Sequence, residues 1–144
     1  MTNIRTKFLF YLILSLLGLA DAFYLSWVKI QNTELFCGGS TNCETVNSSR
    51  YANLFGVPVA FLGFVTYIAI IVFLLLGKKK LISKEIGTFV LFGITLIGTL
   101  FSVYLTYIEI YVIDAICPYC LVSAIIMLVL FVLAIYDLIK MVVE

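Results

Sequence analysis

The chain has 144 residues, of which 64% are hydrophobic and only 12% charged. Soluble globular domains carry roughly a quarter charged residues, so this composition excludes an ordinary soluble domain and points to the bilayer. The formal net charge of +1 supplies no global field for nucleic acid, and the nine basic residues matter by where they sit.

Four apolar stretches, at about 8–28, 57–77, 86–113 and 117–139, each reach the ~20 residues that a spanning helix needs. Backbone groups in lipid must be satisfied inside helices or a closed barrel, and no series of ~10-residue alternating strands suggests a barrel. The expected fold is all-α: a polytopic membrane protein, a four-transmembrane-helix bundle, with the external loop 30–55 capping it between helices 1 and 2. The stretches leave room for a single membrane domain over 1–144.

The first stretch imitates a cleavable secretion signal, with Arg5 and Lys7 ahead of an apolar core and "ADA" at 20–22. It runs on through Phe23, Tyr24, Leu25 and Trp27, and Asp21 sits inside the supposed cleavage site, so it is read as helix 1. Gly18, Ala22 and Ser26 recur at four-residue spacing, a stripe that lets a neighbouring helix approach closely. Asp21 lies at or near membrane depth, where an acid is costly unless paired or wetted. It is a candidate proton donor.

The 26 residues from Ile30 to Phe55 are long for a connection without function. They hold Cys37 and Cys43 in "CGGSTNC", which reads as a flexible segment, and Ser49 in "NSSR", a composition that often caps a short helix. "FGVPVAF" places Gly56 and Pro58 at the start of helix 2. "GKKKLISK" at 77–84 is the turn between helices 2 and 3.

On helix 3, Tyr104, Tyr107 and Tyr111 share a face near one membrane surface, where an aromatic belt is the default expectation. Glu109 lies close enough to the helix end to be read as interfacial, with proton donation as the alternative. Helix 4 opens on "CPYC", 117–120. Pro118 suits the first helical position, which makes Cys117 the candidate N-cap and places Cys120 three residues on, on the same face. Both sulfurs then feel the positive helix end, a setting that stabilises a thiolate.

Counting Lys and Arg on alternate sides assigns Arg5, Lys7, Lys78, Lys79, Lys80, Lys84 and Lys140 to one face and Lys29 and Arg50 to the other. The positive-inside rule then puts both termini in the cytoplasm. All four cysteines fall on the extracytoplasmic side of a cell membrane, where disulfides persist. A zinc site is disfavoured, since the chain has no His and one cysteine pair lies at the bilayer surface. Two static disulfides in a structural or binding tetraspan protein are the plain alternative to a reversible dithiol. A dithiol at the membrane boundary is within reach of a soluble protein on one side and of a lipid-soluble two-electron acceptor, a quinone, on the other.

The chain resembles the vitamin K epoxide reductase family of membrane thiol oxidoreductases. The features that carry the resemblance are the four helices, a loop cysteine pair after helix 1, "CETVNSSRY" at 43–51 and "CPYC" opening the last helix. It implies that Cys37 and Cys43 are shuttle cysteines, that Cys117 and Cys120 are the active-site pair, and that Ser49 lies near the quinone, where a hydroxyl can donate as negative charge develops. It also implies a path in which a reduced thioredoxin-fold protein gives electrons to Cys43, Cys37 passes them to Cys117, and Cys120 faces a quinone of ubiquinone or menaquinone type.

Because the chain stops about five residues after helix 4, the partner is expected in trans. The short Cys37–Cys43 spacing, and Ala124 where vertebrate members have a tyrosine, favour the microbial role in protein disulfide formation over vitamin K epoxide reduction. The Dsb-type quinone-linked proteins perform similar chemistry with the two cysteine pairs in the reverse order.

Overall fold

The computed structural model describes residues 2–31, 53–54, 57–113 and 118–143. In chain order these form α1 (Thr2–Gln31), β1 (Asn53–Leu54), β2 (Val57–Pro58), α2 (Val59–Lys78), α3 (Lys84–Ile108), a π-helical turn (Glu109–Ile113) and α4 (Pro118–Val143). The four α-helices are each long and apolar enough to cross a membrane. The shortest, α2 with 20 residues, is about 30 Å long, the thickness of the hydrocarbon core.

α2 starts at Val59 rather than 57 because Val57 and Pro58 pair antiparallel with Leu54 and Asn53. Pro58 therefore precedes the helix instead of lying in its first turn. The bulk of the expected cap, residues 32–52, lies outside the described residues, and with it Cys37, Cys43 and Ser49; Cys117 lies outside them too.

The tight turn between α2 and α3 is built from its own hydrogen bonds. Leu81 N–H donates to the Leu76 carbonyl at 3.0 Å and Lys80 N–H to that of Gly77 at 3.2 Å, the paired pattern that closes a helix through one left-handed residue. That residue is Lys80, with φ of 58°. Ser83 then caps α3, its side chain accepting from Ile86 N–H at 3.3 Å. Glu85 in the first turn of α3 and Lys78 in the last turn of α2 suit the helix dipoles.

α1 packs most closely on α2 and α3 on α4, with α1–α4 and α2–α3 closing the ring more loosely. The core gathers Tyr11, Ala22, Tyr67, Ile70, Leu74, Ile126, Met127 and Leu130. Small residues make it possible: a Cβ at Gly18 would fall on the Tyr67 ring, and one at Gly98 would lie 2.9 Å from Met127 Sδ. The buried stripe on α1 runs Tyr11, Ser15, Gly18, Ala22, Ser26, longer than the Gly18–Ala22–Ser26 motif read from spacing.

Near the N-terminal end of α1, the Lys7 ammonium meets Asp137 at 3.1 Å, and the Tyr11 hydroxyl donates to the other carboxylate oxygen at 2.8 Å. Lys7 also lies over the Tyr136 ring, 4.6 Å from its centre. This clasp ties α1 to α4. The outer surface is apolar, with Ile97, Leu100 and Val103 all more than half exposed. Water would penalise a contiguous surface of that kind; lipid does not.

Candidate functional site

A cavity of about 500 Å³ opens inside the bundle toward the end where α4 begins. α4 contributes Cys120, Ser123, Ala124 and Met127 to its wall, positions i, i+3, i+4 and i+7 of one helix face. α2 and α3 supply most of the rest, among them Gly63, Thr66 and Tyr67 on one side and Gly98 and Ser102 on the other; Glu109 comes from the π turn, and Asp21, Ala22 and Leu25 come from α1. The hollow thus lies along the looser α2–α3 seam. Ile97, 70% exposed on the outer surface, is part of its rim.

The lining is largely apolar, and its polar groups are few and placed. Thr66 turns its hydroxyl to the Leu62 carbonyl at 2.8 Å, and Thr106 turns its own to that of Ser102 at 2.8 Å, which leaves those walls greasy. The Tyr67 hydroxyl, fully buried, sits 3.0 Å from both the carbonyl and the Oγ of Ser123. That places a polar pair one helical turn along α4 from Cys120. An apolar hollow with a small set of convergent polar groups is the usual form of a small-molecule site.

Cys120 is partly buried, in the first turn of α4. α4 begins at Pro118, the first helical position, as the missing N–H of proline favours. Tyr119, between the two motif cysteines, packs its ring against Tyr24 with centroids 5.3 Å apart, so α1 braces the motif from the side. Of the residues singled out in sequence, Cys120, Asp21 and Glu109 all line this one cavity.

Glu109 stands three residues from the end of its spanning segment, Lys84–Val112, in keeping with the interfacial reading, and it is also buried, at 4% exposed, where α3 gives way to the π turn. The Glu109 N–H is shared between the Leu105 and Thr106 carbonyls, and the wider turn turns Ile108 and Glu109 inward while Ile110, Tyr111 and Val112 stay exposed. Turns of this kind recur at functional sites. Tyr104, Tyr107 and Tyr111 are exposed as an aromatic belt requires, and the last two rings contact each other at 4.9 Å.

Tyr67 and Ser123 were not singled out in sequence. The signals were there: a tyrosine in the middle of an apolar spanning segment, and a serine three residues after the motif's second cysteine.

Four spanning helices around a hollow, with a cysteine at the head of the fourth, define a polytopic membrane protein. Comparison with known proteins agrees. The vitamin K epoxide reductase family profile matches residues 9–135, and the chain belongs to that family. It is 40% identical over 124 residues to the thiol-disulfide oxidoreductase LTO1 of Arabidopsis thaliana, an alignment covering 81% of this chain and 33% of that protein. The chain thus spans about a third of the length of this curated relative. It is a multi-pass membrane protein.

Proposed function

We propose that the chain is a membrane thiol-disulfide oxidoreductase that takes electrons from a reduced thioredoxin-fold protein through Cys37 and Cys43 to Cys117 and Cys120, and passes them to a membrane quinone in support of protein disulfide formation. The observation that carries this reading is the position of Cys120 on the wall of a largely apolar cavity of about 500 Å³ between spanning helices. The relative named as a thiol-disulfide oxidoreductase supports the thiol chemistry.

The residues present fit a quinone. Apolar walls from α2 and α3 suit a lipid-soluble ring, and the rim at Ile97 offers a route from the lipid side. Bound there, a quinone supplies a two-electron, two-proton acceptor. Cys120 is the sulfur that faces it, and Tyr119, held by Tyr24, keeps the head of α4 in place. Cys117 receives electrons from Cys37, and Ser49 is the further hydroxyl donor. Both termini are cytoplasmic and the cysteines extracytoplasmic, in keeping with the seven-to-two split of basic residues.

The test is turnover by purified protein with a reduced thioredoxin-fold donor and a ubiquinone or menaquinone analogue. One disulfide should form in the donor for each quinone reduced. Cys120→Ala should abolish quinone reduction with any donor, whereas Cys37→Ala and Cys43→Ala should abolish it with the protein donor only. Full quinone turnover in Cys120→Ala would overturn the path. In Cys120→Ala an internal Cys37–Cys117 bond should accumulate, because the resolving thiol is gone; peptide mapping that never finds it would favour static disulfides.

A further inference from the structure

Threonines on these helices turn their hydroxyls back on their own backbone. Thr66, Thr88, Thr95 and Thr106 each donate to the carbonyl four residues earlier, at 2.7–2.8 Å, a local bond that uses up the hydroxyl proton. Ser123 is arranged differently. Its hydroxyl meets that of Tyr67 across the space between α4 and α2, at 3.0 Å, and it lines the cavity three residues beyond Cys120, or about 4.5 Å along the helix.

Counting protons decides what this hydroxyl does. A tyrosine has one hydroxyl proton, and Tyr67 donates it to the Ser123 carbonyl at 3.0 Å. The proton between the two hydroxyl oxygens is therefore the one on Ser123. Tyr67 is fixed by more than this pair: it is fully buried, and its ring fills the space that a Cβ on Gly18 would take. Its bond to the carbonyl stays when the Ser123 O–H swings away. A serine hydroxyl rotates to suit the acceptor presented to it, so Ser123 can exchange Tyr67 for an oxygen in the cavity and lose nothing in number of bonds. With the cavity empty it returns to Tyr67, and no polar hydrogen is left unpaired among apolar walls. Gly63, Gly98 and Ala124, all small, leave room in the same hollow.

Resting on the quinone reading, we propose that Ser123 is the helix bundle's hydrogen-bond donor to one carbonyl oxygen of the acceptor, and that Tyr67 is the positioning residue that holds Ser123 in place. A quinone has two carbonyl oxygens, so this donor adds to Ser49 rather than replacing it. A donor one turn from Cys120 orients the ring relative to the sulfur, as a few placed polar groups do in apolar sites.

The test uses the purified full chain in lipid nanodiscs, with a short-chain ubiquinone carrying carbon-13 at one carbonyl or the other, read by infrared difference spectroscopy and by equilibrium binding. In wild type at least one labelled carbonyl band should lie below its frequency for the free quinone in lipid. Ser123→Ala should return that band toward the free value and weaken binding about fivefold, the worth of one hydrogen bond. Ser123→Thr, which keeps the hydroxyl, should restore both. The thermal midpoint of quinone-free Ser123→Ala should match wild type, because Tyr67 keeps its carbonyl acceptor. Tyr67→Phe should broaden the shifted band, a change that a purely structural role for the tyrosine would not produce.

Bound quinone whose bands are the same in Ser123→Ala as in wild type, or whose two wild-type bands both match the free molecule, overturns this assignment and leaves the acceptor reading in place. Wild-type protein that binds no quinone overturns the acceptor reading, and this assignment with it.

Discussion

The two ends of the bundle are built in opposite ways. At the end near Lys7, long side chains interlock: Tyr11, Lys7 and Asp137 form the clasp, Lys78 lies over Phe8 at 4.7 Å from the ring centre, and α2 turns into α3 through a closed, capped turn. At the Cys120 end, α2 and α3 part around a hollow, and α3 loses its α-helical pitch before the motif. Both ends belong to the same four helices with similar apolar composition, so the difference comes from a few placements. Gly18 on α1 lets Tyr67 of α2 come close, whereas α2 and α3 part around the cavity they line. The packed end supplies rigidity and the hollow end supplies room for a reactant.

Orientation gives the sharpest way to break this comparison, because the proposed function requires the hollow end to face the oxidising side. After reduction, an impermeant thiol reagent on intact cells should label Cys37 and Cys43, Cys117 more slowly and Cys120 slowest. Labelling of the loop pair only in broken cells would turn the bundle over.

Enlarging one small residue at each site should separate packing from room. Gly18→Leu forces a side chain onto the Tyr67 ring and should cost about 3 kcal/mol, read as loss of folded protein on thermal unfolding in detergent. Ala124→Leu points into the cavity and should leave stability within about 1 kcal/mol of wild type while raising the quinone KM several-fold. Equal destabilisation by both would mean that the hollow is packed as tightly as the core.

Smaller effects test the clasp and the turn. Asp137→Ala leaves the Tyr11 hydroxyl buried without its acceptor and should cost about 2 kcal/mol. Most of that should come from Tyr11, because Lys7 and Asp137 are each about a third exposed, at 34% and 31%, and ion pairs so wetted contribute little. Tyr11→Phe should therefore recover much of the loss in the Asp137→Ala background. Lys80→Gly removes the strain of a left-handed lysine and should raise stability by about 1 kcal/mol.

Helices were the most legible part of the sequence, because uninterrupted apolar runs of spanning length have few alternative structures in lipid. The stripe on α1 was legible for the same reason: small residues at four-residue spacing can only meet a close neighbour. The burial of Glu109 was not legible, because it accompanies a local change of helical pitch that residue spacing counted at about 3.6 per turn does not register. The Tyr11–Lys7–Asp137 clasp joins residues 126 and 130 positions apart, and nothing local to either segment announces it. Cys120 was legible as chemistry from the motif, but the cavity beside it is a property of four helices at once.

The π turn at Glu109–Ile113 also makes spacing a variable in its own right. Each α-helical residue advances by about 100° around the axis, so deleting one residue from this turn would let the helix run on regularly while swinging whatever follows to another bearing. Deleting Ile110 or Val112 would keep Glu109 and Tyr111 and alter only their bearing around the axis. The number of residues in this turn is therefore as much a part of how the cavity wall is built as the identity of any residue within it.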